Sequence, residues 1–181
     1  RDPDGGLSGY DCIGGGGVAK NVLTVGAVEQ LPGGYTNPGD VAMSTFSGWG
    51  PTDDGRIKPD VVNVGVDVYS AQATGTADYA SYNGTSMSSP ATTGSLLLLQ
   101  EHYADLNAAF MRASTLKALV VHTADEAGPD DGPDYSHGWG MANAAKAALH
   151  ISNDGGGHDI VEGTLTNGGT FTRTITSNGV D

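Results

Sequence analysis

The chain has 181 residues, is 38% hydrophobic and contains 29 glycines, a composition that supports one domain with a real core and speaks against disorder. Its 21 acidic residues against 8 basic give a formal charge of −13, which excludes nucleic acid as an expected partner, because phosphate binding needs clustered Lys and Arg, and suits a saline or extracellular setting. No apolar run reaches membrane-spanning length, since residues 94–99 are closed by Gln100, Glu101 and His102, and the single Cys12 forms no disulfide within these residues.

In chain order, residues 1–17 read as loop, ending in the run Gly14-Gly15-Gly16-Gly17; no Lys-Ser/Thr follows, so a phosphate loop is not indicated. Residues 23–28 are apolar and β-branched and predict a buried strand, with a second over 41–46. Residues 48–59 carry turn chemistry, with Asp53-Asp54-Gly55 at the tip. Residues 61–69 alternate imperfectly through Val62, Val64, Val66 and Val68 and predict a strand near the sheet edge, followed by a polar loop over 74–79.

A helix is expected from near Ser86, because Met87, Pro90, Ala91, Gly94, Leu97 and Leu98 recur at helical spacing, with Leu96 and Leu99 broadening the apolar face. A second runs from about Thr115, with Leu116, Leu119 and Val120 inward and Ser114 as its cap. An alanine-rich helix ends near Leu149. Strands interleaved with helices imply an α/β fold with a mainly parallel sheet covered on both faces. Residues 1–151 form that unit in this reading. Residues 152–181 are a glycine-rich link and a β-rich appended segment, with a hairpin expected over 160–175 around Thr166-Asn167-Gly168-Gly169.

The stretch that carries chemistry is Tyr82-Asn83-Gly84-Thr85-Ser86-Met87-Ser88-Ser89-Pro90. Gly84 permits a tight backbone approach, and Pro90 is cheap near a helix start, where N–H groups lack intrahelical partners. A serine there sets its hydroxyl beside free N–H donors and the positive end of the helix dipole, which stabilise an anion forming on a bound carbonyl. Turn chemistry alone favours a plainer role, with Thr85 or Ser86 capping the helix. The stretch resembles the Gly-Thr-Ser-Met-Ala-x-Pro motif of the subtilisin-like serine proteases (subtilases), Ser88 standing where the family has alanine. Lys20-Asn21-Val22-Leu23-Thr24-Val25-Gly26-Ala27-Val28 resembles the family strand x-Val-Ile-x-Val-Gly-Ala. Phe46-Ser47-Gly48-Trp49-Gly50-Pro51 with Lys58-Pro59-Asp60-Val61 resembles its Phe-Ser-x-x-Gly-Pro and Lys-Pro-Asp-Val segment. Tyr135 to Ala144 is similar to the family's Gly-x-Gly-x-x-Asn-Ala close, and Asn63-Val64-Gly65 departs from the Ala-Pro-Gly of many members.

The resemblance implies a subtilisin-like three-layer fold, Ser86 as nucleophile, the Ser86 N–H in an oxyanion hole with Thr85 in support, and Asn83 on the rim that binds a protein or peptide substrate. In the family, Asp, His and the oxyanion Asn precede the Ser, so the chain is expected to be the C-terminal half of a catalytic domain, near-inert until an N-terminal half supplies those groups. It further implies a secreted endopeptidase whose chemistry needs no cofactor. His102, His122, His137, His150 and His158 all follow Ser86, and residue 88 is not glycine, so the G-x-S-x-G elbow of α/β-hydrolases is absent. His137 is expected to pack with Trp139, and His122 to be a half-buried helix residue. Asp125, Glu126, Asp130, Asp131 and Asp134 offer the oxygen ligands of calcium without its D-x-D-x-D-G spacing, so a solvated loop is the expectation and structural calcium stays open. Two alternatives remain: a sedolisin-type acid peptidase, which also uses Gly-Thr-Ser, and a non-catalytic acidic binding or structural module.

Overall fold

The computed structural model describes residues 12–155 and 159–174. Its centre is a parallel pair, β1 (Val25–Val28) and β2 (Val61–Val64), with Val25 opposite Val61 and Val28 opposite Val64. Neighbouring residues of a strand point to opposite faces, and here each face finds its own core. Val61 enters a cluster with Leu99, Met111, Leu119, Val120, Ala147 and Ile151, which come from or flank α1 (Thr85–Asn107), α2 (Ala113–His122) and α3 (Ala144–Ser152). Val62 enters a second cluster with Val28, Val41 and Ala127, closed by Leu31, Tyr35, Met43 and Met141. Full burial of each such valine stabilises the fold by about 1.5–3 kcal/mol.

Several elements differ from expectation. Residues 41–46 make only an isolated bridge, Met43 to Val28, so the second strand does not form there. Residues 61–69 break at Gly65-Val66-Asp67 because Asp67 turns into the left-handed region (φ 52°), so β2 and β3 (Val68–Ala71) belong to separate sheets. β2 is also interior, since Val62 bonds Gly140 and Ala142 on the side away from β1. β3 pairs antiparallel with β4 (Tyr79–Tyr82), which places the expected polar loop inside a hairpin.

α1 runs 23 residues, through His102 to Asn107, and buries a face other than the one marked by Met87, Pro90, Ala91, Gly94, Leu97 and Leu98. Ser88, Thr92 and Leu99 point inward, while Leu97 and Leu98 are 72% and 65% exposed. α2 begins at Ala113 after Arg112, without a side-chain cap from Ser114, and α3 continues to Ser152. In the tail, Gly169 N donates to Thr166 O at 2.9 Å, so the expected turn forms, but the described residues 159–174 contain no strand. Residue 175 lies outside the described residues. The tail is nonetheless tied down: Ile160 packs on the helical core, Glu162 accepts Arg112 N at 2.8 Å, and Arg112 Nη1 donates to Gly163 O at 2.9 Å.

An ionic pin holds the entrances of β1 and β2. Lys58, 2% exposed, donates through Nζ to Asp60 Oδ2 (2.6 Å), Val22 O (2.8 Å) and Thr24 Oγ1 (3.2 Å). Asp60 also takes Thr24 N (2.7 Å) and, on Oδ1, the ammonium of Lys117 from α2 (2.7 Å). Burial pushes the Lys58 pKa down, and the Asp60 partnership opposes that shift. A buried charge is tolerated when its lone pairs and protons are matched, and removing one partner costs about 3–5 kcal/mol. Lys58→Met is therefore expected to lower unfolding free energy by about 3 kcal/mol, read from the urea midpoint at constant m-value.

A second prediction concerns acid. Hydrogen bonds from Arg56, then Thr52, pull the exposed Asp54 carboxyl down to about 2. A depressed carboxyl contributes stability that is present above its unfolded value and is lost as pH falls through the folded one. Asp54→Asn should therefore flatten the stability-versus-pH curve between about pH 4 and 2 and leave its shape above pH 5 unchanged.

Candidate active site

Ser86 lies in the first turn of α1, exposed, as are its neighbours Asn83 and Thr85. The turn is built by glycines. Gly84, the residue before the helix, has φ 155°, a backbone that side chains with a Cβ resist. Its N–H donates to Gly65 O at 2.7 Å, just past the end of β2. A Cβ on Gly65 would stand 2.7 Å from the Ala27 Cβ and 2.8 Å from Gly84 O, so only glycine allows the strand end and the helix start to meet. The hairpin closes the other side: Asn83 Oδ1 accepts Asp67 N at 2.6 Å, and Gln30 Nε2 donates to Asp67 O at 2.6 Å.

Helix geometry makes this a place for developing negative charge. The amides of Thr85 and Ser86 have no acceptor within the helix, and the dipole adds roughly half a positive charge at this end. Met87 N is already used, donating to Gly84 O at 3.0 Å. Pro90 lies one turn further in than a first-position proline, so the Ser86 carbonyl lacks the N–H that residue 90 would supply.

The described histidines are engaged elsewhere. His102 Nε2 meets Ser152 Oγ at 2.8 Å, and His122 packs edge-on against His150 with ring centres 5.2 Å apart. His122 is exposed rather than half-buried, because it ends α2. His137 is buried, with Nε2 at Val41 O (3.1 Å) and Nδ1 at Ser136 Oγ (2.7 Å); Gly128 lies against its ring, since a Cβ there would stand 2.5 Å from Nδ1. His158 lies outside the described residues.

The acidic cluster is largely consumed by internal contacts. Asp125 pairs with Lys146 and accepts Asn143 Nδ2 at 2.7 Å. Glu126 accepts the amides of Ala127 and Gly132, and Asp134 those of Ser136 and His137. Among the described residues no group of three or more His, Cys, Asp or Glu is placed to hold a metal ion.

Solved protease domains share this α/β frame. The Clostridium perfringens CspB protease superposes with TM-score 0.69 and 24% identity, covering 80% of this chain and 30% of that one. The patellamide maturation protease PatA gives TM-score 0.61 and 22% identity over 80% and 48% of the two chains. The fold is therefore that of the subtilisin-like protease domains. Residues 10–140 match the subtilase family, peptidase S8, and the chain belongs to it. Relatives include the C5a peptidase of Streptococcus pyogenes serotype M3, 38% identical over 85 residues (47% of this chain, 7% of that protein). Pyrolysin of Pyrococcus furiosus is 32% identical over 167 residues (77% and 12%), and the serine protease AprX of Bacillus subtilis 29% over 140 residues (71% and 30%). The chain spans 7% to 30% of the length of these relatives.

Two glycines of the site region test the close-approach argument. Gly65→Ala overpacks the strand–helix junction and should cost about 1–3 kcal/mol. Gly94→Ala, on the outer face of α1 with nothing within 4 Å of the added Cβ, should gain roughly 0.5–1 kcal/mol. Thermal melts of the two variants are expected to move in opposite directions.

Proposed function

We propose that the chain is the nucleophile-bearing part of a secreted subtilisin-like serine endopeptidase. Ser86 Oγ attacks the carbonyl of a bound peptide, and water hydrolyses the resulting acyl-enzyme. The carrying observation is the exposure of Ser86 in the first turn of a 23-residue helix, beside leading amides that have no acceptor within the helix. Thr85 and Asn83, exposed on the same turn, line the substrate side. The base that takes the Ser86 proton, the Asp that orients it and the Asn that adds an oxyanion donor come from residues outside this chain. The engagement of the described histidines elsewhere supports that assignment, as does the outer face of α1, where Leu97 and Leu98 stand exposed beside Pro90, Ala91 and Gly94. The partner that covers this face is an N-terminal half of the same catalytic domain. The chemistry needs no cofactor, and the acidic composition suits work outside the cell.

The test uses the full-length protein and a serine-reactive fluorophosphonate. Label is expected on Ser86 and peptidase activity should fall in step with labelling; an active sample labelled elsewhere overturns the assignment. Ser86→Ala should lower kcat roughly 10⁶-fold, the loss measured when subtilisin itself loses its nucleophile or its histidine. If a histidine is the base, kcat falls as pH drops through about 6.5; an acid optimum would favour the sedolisin arrangement instead. Leu97→Asp, which puts a charge on the outer α1 face, should abolish activity by preventing that face from being covered.

A further inference from the structure

The two positions at which the sequence leaves the family pattern beside the site, Asn63-Val64 for Ala-Pro and Ser88 for Ala, are connected through Thr92, which bonds the Asn63 side chain and the Ser88 carbonyl. On β2, Val62 N donates to Gly140 O on one side and Gly65 N to Val28 O on the other. By alternation the Val64 N–H points away from β1. A proline has no N–H at that position; valine has one, and Asn63 Oδ1 accepts it at 2.8 Å. The same amide donates through Nδ2 to Thr92 Oγ1 at 3.0 Å. Thr92 donates in turn to Ser88 O at 3.0 Å, and Ser88 Oγ to Thr85 O at 3.1 Å. Ser88 and Thr92 are buried, so this ladder runs in low dielectric along the inner face of α1 up to the turn of Ser86.

The geometry points to Asn63 as a positioning residue for Ser86. From one side chain on a strand it fixes the Val64-Gly65 backbone, on whose carbonyl Gly84 N rests, and tethers the helix that carries the nucleophile. The role rests on the reading of Ser86 as nucleophile, and it is a positioning one, because the Asn63 amide bonds Val64 N and Thr92 Oγ1 rather than the Ser86 hydroxyl. A misplacement near 1 Å costs about 10²-fold in rate, so loss of this tether is expected to cost about tenfold in kcat with KM within about twofold.

The experiment measures kcat and KM on a peptide anilide, and the rate of Ser86 phosphonylation by a fluorophosphonate, in the full-length protein and four variants. Asn63→Ala should lose about tenfold in both rates. Asn63→Ala with Val64→Pro, which removes the N–H that needs an acceptor and restores a stiff backbone, should recover most of that loss. Thr92→Val should lose several-fold and Thr92→Ser, which keeps the hydroxyl, should match the parent. If Asn63→Ala does not fold, the Thr92 pair decides. Parent-like kcat and labelling rate in Asn63→Ala or in Thr92→Val, with only the melting temperature lowered, overturn the positioning role, as does a proline variant that recovers none of the rate. A parent protein that is active yet unlabelled on Ser86 instead overturns the nucleophile reading, so the two failures are distinguishable.

Discussion

The constraint on which the rest depends is the backbone contact between Gly65 and Gly84. A carbonyl at the end of a parallel strand accepts the amide at the start of a long helix, at 2.7 Å, with no room on either side for a Cβ at residue 65. Parallel strands need long crossovers, and this contact ties the strand end to a helix start from a later step of the chain. Here the crossover from β2 to α1 is the β3–β4 hairpin, which leaves the sheet, folds on itself and returns the chain to the strand end. Asn83 and Asp67 pin the hairpin's base, so the backbone that carries Ser86 is held at the strand end.

The parts legible in the sequence are those where one residue type has one physical reason. Val25–Val28 is apolar on both faces because both faces are covered, and it reads as a buried strand, whereas the imperfect alternation of residues 61–69, with Asn63 among the valines, reads as an edge strand although β2 is interior. Gly84 followed by Thr85-Ser86 marks a tight approach and a helix start, and both are found. The hairpin was illegible, because residues 68–71 and 79–82 expose most of their surface and so leave no hydrophobic alternation to read. Residues 41–46 mislead in the opposite way. Val41 is buried by packing on the second cluster, not by pairing, and composition does not distinguish the two.

The inner face of α1 failed for a different reason. The apolar spacing runs through Met87, Pro90, Ala91, Gly94, Leu97 and Leu98, but the buried residues of the helix are Ser88, Thr92 and Leu99. A hydroxyl can be buried when its proton returns to the carbonyl a turn earlier, as Thr92 does with Ser88, so polar letters hid a core face. The signal that was available lay in the departures from the family pattern at residues 63 and 88. Each puts a polar side chain where the pattern has an apolar one, and a buried polar side chain implies a partner.

These two faces together say what kind of helix α1 is. One side is closed against the parallel pair by small and hydroxylated residues that let the backbones come near. The other carries Pro90, Ala91, Gly94, Leu97 and Leu98 into solvent. A helix that is solvated on one side in its working state carries charge there, and along residues 85–100 the sequence has none. An uncharged outer face of this length disfavours water as its permanent neighbour, since exposed apolar surface of that extent marks a contact. On the proposed reading the same polypeptide that covers the leucines also brings the base to Ser86. Completion of the core and completion of the active site are then one event, and an uncovered chain leaves its nucleophile without an activating base.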